Sequence, residues 1–312
     1  MVKKQLIALI VLLTCYSVSS ANAVISDSLS AFWQNTKMQL AKVPINAVIE
    51  PIKEALPYHT YKITLQGLNN VKFVALLALP IQGEEVRKTP WPVIITTPGY
   101  GGSQQGIMLS ECQRGYAILQ VFPRGQGVST ELYKVIGDKL TNHIENPDSA
   151  YYRGAYADVM RVIDYVFIRK DLDSKRIALV GTSQGGGISL AVAAIDQRVK
   201  TVVAHLPFLC NFKMAAVREG SLVKQILDKE GKNNEKSLNV LSYFDPFQLA
   251  PKLTIPVLMS TGGKDTTCPK ETIESVYARL PGKKELKFYQ DLKHTTCLDF
   301  YNQGWHWLDQ HL

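Results

Sequence analysis

A serine flanked by glycines has the clearest chemical potential in this sequence. Ser183 lies within Gly181-Thr-Ser-Gln-Gly185, after a buried-strand pattern and before a run of small residues typical of a helix. The turn between such a strand and helix is so sharp that a Cβ at either glycine would strike a neighbouring element. The pattern therefore predicts a nucleophile elbow, with Ser183 Oγ exposed above the sheet and the first N–H groups of the helix facing it.

A serine hydroxyl needs a base to take its proton and an acid to orient that base. In an α/β fold with such an elbow, the acid and then the histidine follow the serine along the chain. Asp265 comes after a predicted strand, Ile255–Thr261, and His294 comes after the last predicted strand, Glu285–Gln290. Because both strands come after the elbow, we expect Asp265 and His294 to converge on Ser183.

The other acids and histidines fit this arrangement less well. His205 also stands near a strand end, but it precedes every candidate acid. Asp291 is three residues before His294 and is placed to cap its turn, while Asp245 lies in an insertion. The remaining histidines fall where surface or packing roles are expected: His59, His143, His306 and His311.

A glycine-rich loop after an earlier buried strand predicts the second half of an oxyanion hole. The strand is Trp91–Thr97 and the loop is Pro98–Gly102. Backbone N–H groups of such a loop can approach a bound oxygen closely, because glycine has no side chain in the way. Together with the helix after Ser183, this loop would hold the oxyanion of a tetrahedral intermediate.

The elements that must position these groups alternate between strands and helices, which predicts a doubly wound, mostly parallel α/β sheet. The strand patterns Tyr58–Leu65 and Val71–Leu79 flank a hairpin turn and predict leading antiparallel strands. Helical patterns at Met214–Leu227 and Leu238–Phe247 predict a modest insertion of the kind that shapes a substrate entrance. The other predicted elements are strands Tyr116–Phe122 and Val199–His205, an amphipathic helix that opens with Ser30–Trp33, helices at Tyr152–Phe167 and Cys297–Leu312, and a long loop at Lys134–Ala150.

The first 23 residues have the pattern of a secretory signal peptide. Lys3 and Lys4 precede an apolar run, Leu6–Leu13, and Ala21-Asn-Ala23 fits the small-x-small rule for cleavage. We therefore expect a secreted or periplasmic protein in which residues 24–312 form a single domain.

Charge and hydropathy argue against a nucleic-acid partner and against a membrane span in the mature chain. Removal of Lys3 and Lys4 lowers the formal charge from +8 to +6, and the remaining basic residues are scattered. They form no stripe with exposed aromatics, so nucleic-acid binding is not expected. No stretch after the leader approaches the length of a membrane span.

The cysteines leave open whether the protein is lipidated and whether it forms a disulfide. Cys15 could indicate a lipoprotein signal, although Thr14 is a poor match to the small residue expected before it. The later cysteines match no zinc-binding spacing, and we predict no metal and no cofactor. Cys268 and Cys297 each follow a predicted catalytic residue by three positions, so a disulfide between them stays open. The four later cysteines are Cys112, Cys210, Cys268 and Cys297.

Beyond these features, the sequence resembles carbohydrate esterase family 7, the acetyl xylan esterases and cephalosporin C deacetylases. The resemblance runs from the strand before Gly99 to His294, and Phe32-Trp33 resembles the N-terminal helix of the family. The matching motifs are Gly99-Tyr100, Arg124-Gly-Gln-Gly127, Tyr152-Arg-Gly154, Gly181–Gly187, Pro207-Phe-Leu-Cys210, Tyr243-Phe-Asp245, Asp265 with Cys268-Pro269, Leu280–Leu286 and His294.

This resemblance implies an α/β-hydrolase fold and a set of site residues. Ser183 would be the nucleophile, His294 the base and Asp265 the orienting acid. The backbone N–H groups of Tyr100 and Gln184 would form the oxyanion hole. The substrate would be a small acylated molecule, with an acetylated sugar favoured.

The chain departs from the family pattern at three positions. Pro98 stands where histidine is usual, Pro123 where a small polar residue is usual, and Thr295 where a glutamate commonly follows the catalytic histidine. None of these changes removes a catalytic group, but each alters the walls of the site. The resemblance also implies that Arg124 and Gln126 are structural rather than catalytic.

We therefore predict a serine carboxylic-ester hydrolase that removes acetyl or other small acyl groups from sugars or small alcohols. Two alternatives stay open at this point: a hydrolase of another bond, such as a peptidase, and an inactive binding protein on the same scaffold. Members of the family are often hexameric, so a homo-oligomer is a further open possibility.

Overall fold

The computed structural model of the chain describes residues 27–53, 56–81, 89–102 and 108–312. The predicted signal peptide, with its cleavage site and Cys15, lies outside the described residues. The strands are β1 Val48–Pro51, β2 Tyr58–Gln66, β3 Lys72–Pro80, β4 Trp91–Thr97, β5 Ala117–Phe122, β6 Leu172–Thr182, β7 Thr201–His205, β8 Val257–Gly262 and β9 Lys284–Tyr289.

These strands form one sheet in the order β1-β2-β3-β5-β4-β6-β7-β8-β9. The pairs β1–β2, β2–β3 and β3–β5 are antiparallel. The pairs β5–β4, β4–β6, β6–β7, β7–β8 and β8–β9 are parallel. The predicted hairpin is confirmed, with Gln66 opposite Lys72 across a short turn at Leu68–Asn70. Strand β1 was not predicted, because all four of its residues are exposed and give no alternating pattern.

Helices cover both faces of the sheet, which confirms the doubly wound α/β architecture. The helices are α1 27–41, α2 Tyr151–Ile168, α3 Gln184–Ile195, α4 Phe212–Ala215, α5 Leu222–Lys229, α6 Glu235–Leu241, α7 Pro246–Leu249, α8 Lys270–Arg279 and α9 Leu298–His311. The residues 134–150 contain neither helix nor strand, as predicted. None of the helices among the described residues is both long enough and apolar enough to cross a membrane.

The apolar residues of strands β4 to β8 alternate between two cores. In β6, Leu179 packs with α2, α3 and α8 on one face, while Val180 packs with α9 on the other. Both side chains are buried, and burying an aliphatic side chain of this size stabilises a fold by about 1.5–3 kcal/mol. This double burial fixes the end of β6, and with it the turn that carries Ser183.

The predicted N-terminal helix packs on the first of these cores. Trp33 stacks on Tyr156 of α2 with ring centroids 5.6 Å apart, and its Nε1 donates to the carbonyl of Tyr243 at 2.9 Å. Helix α1 thereby joins α2 to the insertion that follows β7.

The insertion is helical, as predicted, but its predicted helices are too long. Helices α4 and α5 replace the single helix expected at Met214–Leu227, because Gly220 takes a left-handed φ of 80° between them. The second prediction, Leu238–Phe247, is broken before Pro246, which has no N–H to continue a helix. Asp245 instead accepts the N–H of Phe247 and begins α7. Helix α8 was not predicted.

Candidate active site

The turn between β6 and α3 is the predicted elbow, but Ser183 is buried, with 4% of its surface accessible, and not exposed as predicted. Ser183 has φ 55° and ψ −121°, a positive φ that is unfavourable for a residue with a side chain. A Cβ on Gly181 would lie 2.2 Å from the carbonyl carbon of Gly185, and one on Gly185 would lie 2.4 Å from the oxygen of Thr97. These contacts leave no room for any residue but glycine on either side of the serine.

The structure brings Ser183, His294 and Asp265 together in one chain of hydrogen bonds. His294 Nε2 lies 2.9 Å from Ser183 Oγ, and His294 Nδ1 lies 2.7 Å from Asp265 Oδ2. Asp265 is buried and His294 is partly exposed, with 24% of its side chain accessible. The second oxygen of Asp265 accepts the backbone N–H of Cys268 at 2.9 Å, which fixes the plane of the carboxylate.

Two glycines that the sequence analysis did not single out let the acid approach the histidine. A Cβ on Gly262 would lie 2.4 Å from the oxygen of Leu292, and one on Gly263 would lie 2.3 Å from the oxygen of Gln290. The two segments also exchange backbone hydrogen bonds, including Lys264 N–H to the carbonyl of Leu292 at 3.0 Å. The loops after β8 and β9 therefore touch along their backbones, which places Asp265 beside His294.

The loop after β4 carries Tyr100 to the same place. The Tyr100 ring packs edge-on against Phe208, with centroids 5.5 Å apart. Its hydroxyl hydrogen-bonds to Asp138 and accepts the backbone N–H of Leu140 at 3.0 Å, and burial raises its pKa. The Nζ of Lys139 lies 4.6 Å above the ring. The predicted long loop thus anchors the residue whose N–H was predicted to bind the oxyanion.

A buried pair of side-chain amides links the two predicted oxyanion residues, Tyr100 and Gln184. Gln184 Nε2 donates to Gln126 Oε1 at 2.9 Å, and Gln126 Nε2 donates to the carbonyl of Tyr100 at 3.3 Å. Tyr152 donates its hydroxyl to Gln184 Oε1 at 3.1 Å. Since α3 begins at Gln184, the backbone N–H of this residue has no acceptor one turn earlier in the helix.

The resemblance implied a structural role for Arg124 and Gln126, and their contacts fit that role. Arg124 forms a buried double hydrogen bond to Asp158, through Nε at 2.9 Å and Nη2 at 2.7 Å. This pair holds the start of the segment that carries Gln126 against α2. Pro98 contacts the amide pair through its carbonyl, which accepts Gln184 Nε2 at 3.3 Å.

The rival acids have other partners. Asp291 is exposed and pairs with Lys264 at 2.7 Å on the surface. Asp245 is buried, and its carboxylate accepts the backbone N–H groups of Asn211, Phe212 and Phe247. Burial raises the pKa of Asp245 to about 7, and those three hydrogen bonds oppose the shift. Neither acid hydrogen-bonds to His294.

His205, the rival histidine, lies beside the site. Its Nδ1 is 2.6 Å from Ser260 Oγ and its Nε2 is 3.0 Å from the carbonyl of Thr295, the residue after His294. Burial lowers the pKa of His205 to about 4, although the hydrogen bond to Thr295 opposes this shift. The sequence pattern could not show this contact, because Thr295 is 90 residues away along the chain.

Asp265, Cys268 and His294 are the described residues that come closest to a metal-binding cluster, with ligand atoms within 4.8 Å of one another. Two of these groups, however, are already hydrogen-bonded to each other. Burial also raises the pKa of the Cys268 thiol well above its usual range, which opposes the thiolate that a metal would need. The donor set therefore fits a proton-transfer triad better than a metal site.

The cysteines of the described residues are all unpaired, so the disulfide left open between Cys268 and Cys297 is not formed. Cys268 is buried close to Ser183. Cys112 and Cys210 are also buried, and Cys297 is partly exposed.

Comparison with known proteins decides the family. The family model for acetyl xylan esterase (AXE1) matches residues 9–311. The chain belongs to the acetyl xylan esterase family. This membership confirms the resemblance seen in the sequence and places the chain in a family of carboxylic-ester hydrolases.

Relatives and solved structures agree with this membership. The chain is 27% identical to the acetyl esterase Axe7A of Xylanibacter ruminicola over 271 residues, which cover 82% of this chain and 60% of that protein. The chain thus spans about three-fifths of the length of this curated relative.

Two solved acetyl xylan esterases share its structure. The enzyme from Paenibacillus sp. R4 is 28% identical with a TM-score of 0.81, covering 91% of this chain and 94% of that one. Acetyl xylan esterase 1 from Thermoanaerobacterium sp. JW/SL YS485 is 22% identical with a TM-score of 0.79, covering 90% and 93%. The predicted α/β-hydrolase fold is confirmed.

Proposed function

We propose that this protein is an exported serine esterase that removes acetyl or similarly small acyl groups from sugars or other small alcohols. The observation that carries the proposal is the chain of hydrogen bonds from Ser183 Oγ through His294 to Asp265, formed at an elbow turn. Membership of the acetyl xylan esterase family supports the choice of an acetyl ester.

In the first half of the reaction, Ser183 Oγ attacks the carbonyl carbon of the ester while His294 Nε2 takes its proton. Asp265 accepts the hydrogen bond of Nδ1–H, which keeps the ring in the right tautomer and stabilises the imidazolium that forms. When the tetrahedral intermediate collapses, the bond to the alcohol oxygen breaks and Nε2 returns its proton to that oxygen. An acyl group remains on Ser183.

Water repeats the sequence in the second half. His294 Nε2 takes a proton from water as the water oxygen attacks the acyl carbon, and the second tetrahedral intermediate expels Ser183 Oγ. The proton on Nε2 then returns to Ser183, and the free acid leaves. The residues are restored to their starting protonation states, so no metal or cofactor is required by this reaction.

The backbone N–H groups of Tyr100 and Gln184 hold the oxyanion in both halves. One belongs to the glycine-rich loop after β4 and the other to the first residue of α3, where the helix dipole favours negative charge. Loss of one such donor typically costs about 3 kcal/mol of transition-state stabilisation. The Gln126–Gln184 amide pair would keep both donors in place.

The surroundings of the serine support a small acyl group. Ser183 is only 4% exposed, and its carbonyl accepts the N–H of Phe208, whose ring packs edge-on against Tyr100. A short acyl chain fits a nucleophile enclosed in this way better than a long one. The sugar or alcohol would extend towards the partly exposed side of His294.

The proposal also includes export from the cytoplasm and allows association into a homo-oligomer. The charged and apolar pattern of residues 1–23 supports a signal peptide, and the mature protein would act outside the cytoplasm. The scattered surface charge supports a small-molecule substrate rather than nucleic acid. Association into a homo-oligomer is compatible with this function and is tested by the solution mass of the purified protein.

Hydrolysis of p-nitrophenyl esters from acetyl to octanoyl tests the proposal. We expect fast cleavage of the acetate, a steep fall with chain length, and a loss of turnover on the order of a millionfold in Ser183→Ala. Ser189→Ala is the matched control, because Ser189 lies on the same helix and bonds only the carbonyl of Gly185. A folded protein that cleaves no ester would favour an inactive binding protein, and cleavage of peptide substrates instead would favour a peptidase.

A further inference from the structure

The segment that carries His294 is exposed or partly exposed along its length. No residue from Gln290 to Asp299 is buried, and the first buried residue after the loop is Phe300 in α9. Side-chain packing therefore does little to fix His294, although its Nε2 must stay within hydrogen-bond distance of Ser183 Oγ. Hydrogen bonds from neighbouring elements must hold this loop.

Those hydrogen bonds lie on both sides of the histidine. Before it, the carbonyl of Leu292 accepts the N–H of Lys264 at 3.0 Å, which ties the loop to the segment of Asp265. After it, the carbonyl of Thr295 accepts His205 Nε2 at 3.0 Å. Among the described residues, His205 is the buried side chain that bonds the backbone of the loop between His294 and α9.

The His205 ring is itself fixed from three directions. The carbonyl of Thr295 can only accept, so His205 Nε2 carries the ring proton and donates it at 3.0 Å. Nδ1 then accepts the hydroxyl proton of Ser260 at 2.6 Å, and Ser260 Oγ in turn accepts the N–H of Leu206 at 3.1 Å. The ring also stacks on Phe300 of α9, with centroids 4.8 Å apart and planes 21° apart.

The backbone of His205 binds the other half of the site. Its carbonyl accepts the N–H of Ser183 at 2.9 Å. One residue at the end of β7 thus holds the serine through its main chain and the histidine loop through its side chain.

We propose that His205 is a positioning residue that sets the distance and angle between His294 and Ser183. This inference rests on the proposed roles of Ser183 and His294. Removing the imidazole would free the loop after His294, so Nε2 would less often face Ser183 Oγ. Because proton transfer depends on that geometry, kcat should fall while KM changes little.

Two substitutions at one position separate the hydrogen bond from packing. His205→Phe keeps an aromatic ring against Phe300 but loses both hydrogen bonds. His205→Gln keeps an N–H donor that can reach the carbonyl of Thr295 and an oxygen that can accept from Ser260. We expect His205→Phe to lower kcat for p-nitrophenyl acetate by up to about a hundredfold, with KM within about twofold and an altered pH profile of kcat/KM. His205→Gln should recover most of that loss.

Equal activity in His205→Phe and the wild type, or equal losses in the Phe and Gln variants, would overturn the proposal. Should His205→Phe fail to fold, Ser260→Ala tests the same ring by removing the hydroxyl that fixes Nδ1. We expect a fall in kcat of about threefold to tenfold in Ser260→Ala, and an unchanged kcat would contradict the positioning role.

Labelling with a serine-directed phosphonate separates this inference from the proposed function. If the wild type is not labelled at Ser183, the proposed function itself fails. If the wild type is labelled and His205→Phe reacts equally fast, only the role of His205 fails. We expect labelling of both proteins, with a slower rate in His205→Phe in proportion to its loss of kcat.

Discussion

The segments that bring Ser183 and His294 together are held in place in different ways. Every residue of the elbow from Gly181 to Gly187 is buried, and Cβ atoms at its glycines would meet backbone atoms between 1.9 and 3.1 Å away. The segment from Gln290 to the first turn of α9 at Asp299 has no buried residue and depends on hydrogen bonds from its neighbours. The serine is therefore fixed by steric packing, whereas the histidine is fixed by a few polar contacts.

Mutations in the two segments should therefore have different effects. A change in the elbow should act first on folding, because the backbone cannot move away from the added atoms. A change among the polar contacts of the histidine loop should act first on catalysis, because the loop can stay folded while His294 loses its orientation. Three predictions test this division, from the largest expected effect to the smallest.

Asp265→Asn should give the largest change on the histidine side. An asparagine can donate an N–H towards His294 and so favour the wrong tautomer, and this exchange lowers kcat by about ten thousandfold in a serine triad. We expect a loss of that order in the hydrolysis of p-nitrophenyl acetate, with little change in thermal stability. Asp291→Asn, three residues before His294, is the control and should stay within about twofold of the wild type because it removes only an exposed ion pair. Similar activity in the two variants would remove Asp265 from the triad.

Gly185→Ala should give the largest change on the elbow side. Its Cβ would lie 2.4 Å from the Thr97 oxygen, so β4 and α3 would have to separate. We expect a loss of more than about 3 kcal/mol in the free energy of unfolding, measured by urea denaturation. Gly101→Ala is the control, since a Cβ there meets no atom within 4 Å and should leave stability nearly unchanged. Equal stability of the two variants would contradict the steric account of the elbow.

The third effect is a dependence of stability on pH through His205. Its pKa is lowered by burial to about 4 in the folded protein, with a further lowering by His294, while the hydrogen bond to Thr295 and the negative charge of Asp265 oppose the shift. Between pH 6.5 and 4 the unfolded chain therefore binds a proton that the folded chain does not. The contribution of His205 to the free energy of unfolding is therefore fully present above pH 6.5. It is lost as the pH is lowered towards 4, by up to about 3 kcal/mol.

The difference in unfolding free energy between the wild type and His205→Gln isolates this contribution from the carboxyl groups. We expect the wild type to lose stability more steeply than His205→Gln between pH 6.5 and 4, as measured by urea denaturation at each pH. Parallel curves for the two proteins would show that the His205 pKa is not lowered by folding.

The same division explains how much of the structure could be predicted from sequence. The elbow is a local pattern, since Gly181, Ser183 and Gly185 meet within one turn and the strand before them is a continuous apolar run. Asp265 and His294 could be predicted as partners of Ser183 because the order of such triads along the chain limits the choice to residues after later strands. These predictions needed no knowledge of long-range contacts.

The features that were missed depend on contacts that no local pattern reveals. The role of His205 needs β7 to lie beside the loop after β9, and Gly263 is required only because Gln290 passes close to it. In the insertion, periodicity favoured long helices, but Gly220 and Pro246 lie within the predicted spans and interrupt them. Strand β1 is exposed on both faces, so it lacks the alternation by which a strand is recognised.

The most direct test of the account is the site of covalent labelling by a serine-directed phosphonate, located by mass spectrometry. Trypsin would release Ser183 in the peptide Ile177–Arg198, which also contains Ser189, so fragment ions must assign the adduct to one serine. The account predicts one adduct on Ser183 and none in Ser183→Ala. An adduct on another residue, or equal labelling of Ser183→Ala, would contradict the identification of Ser183 as the nucleophile.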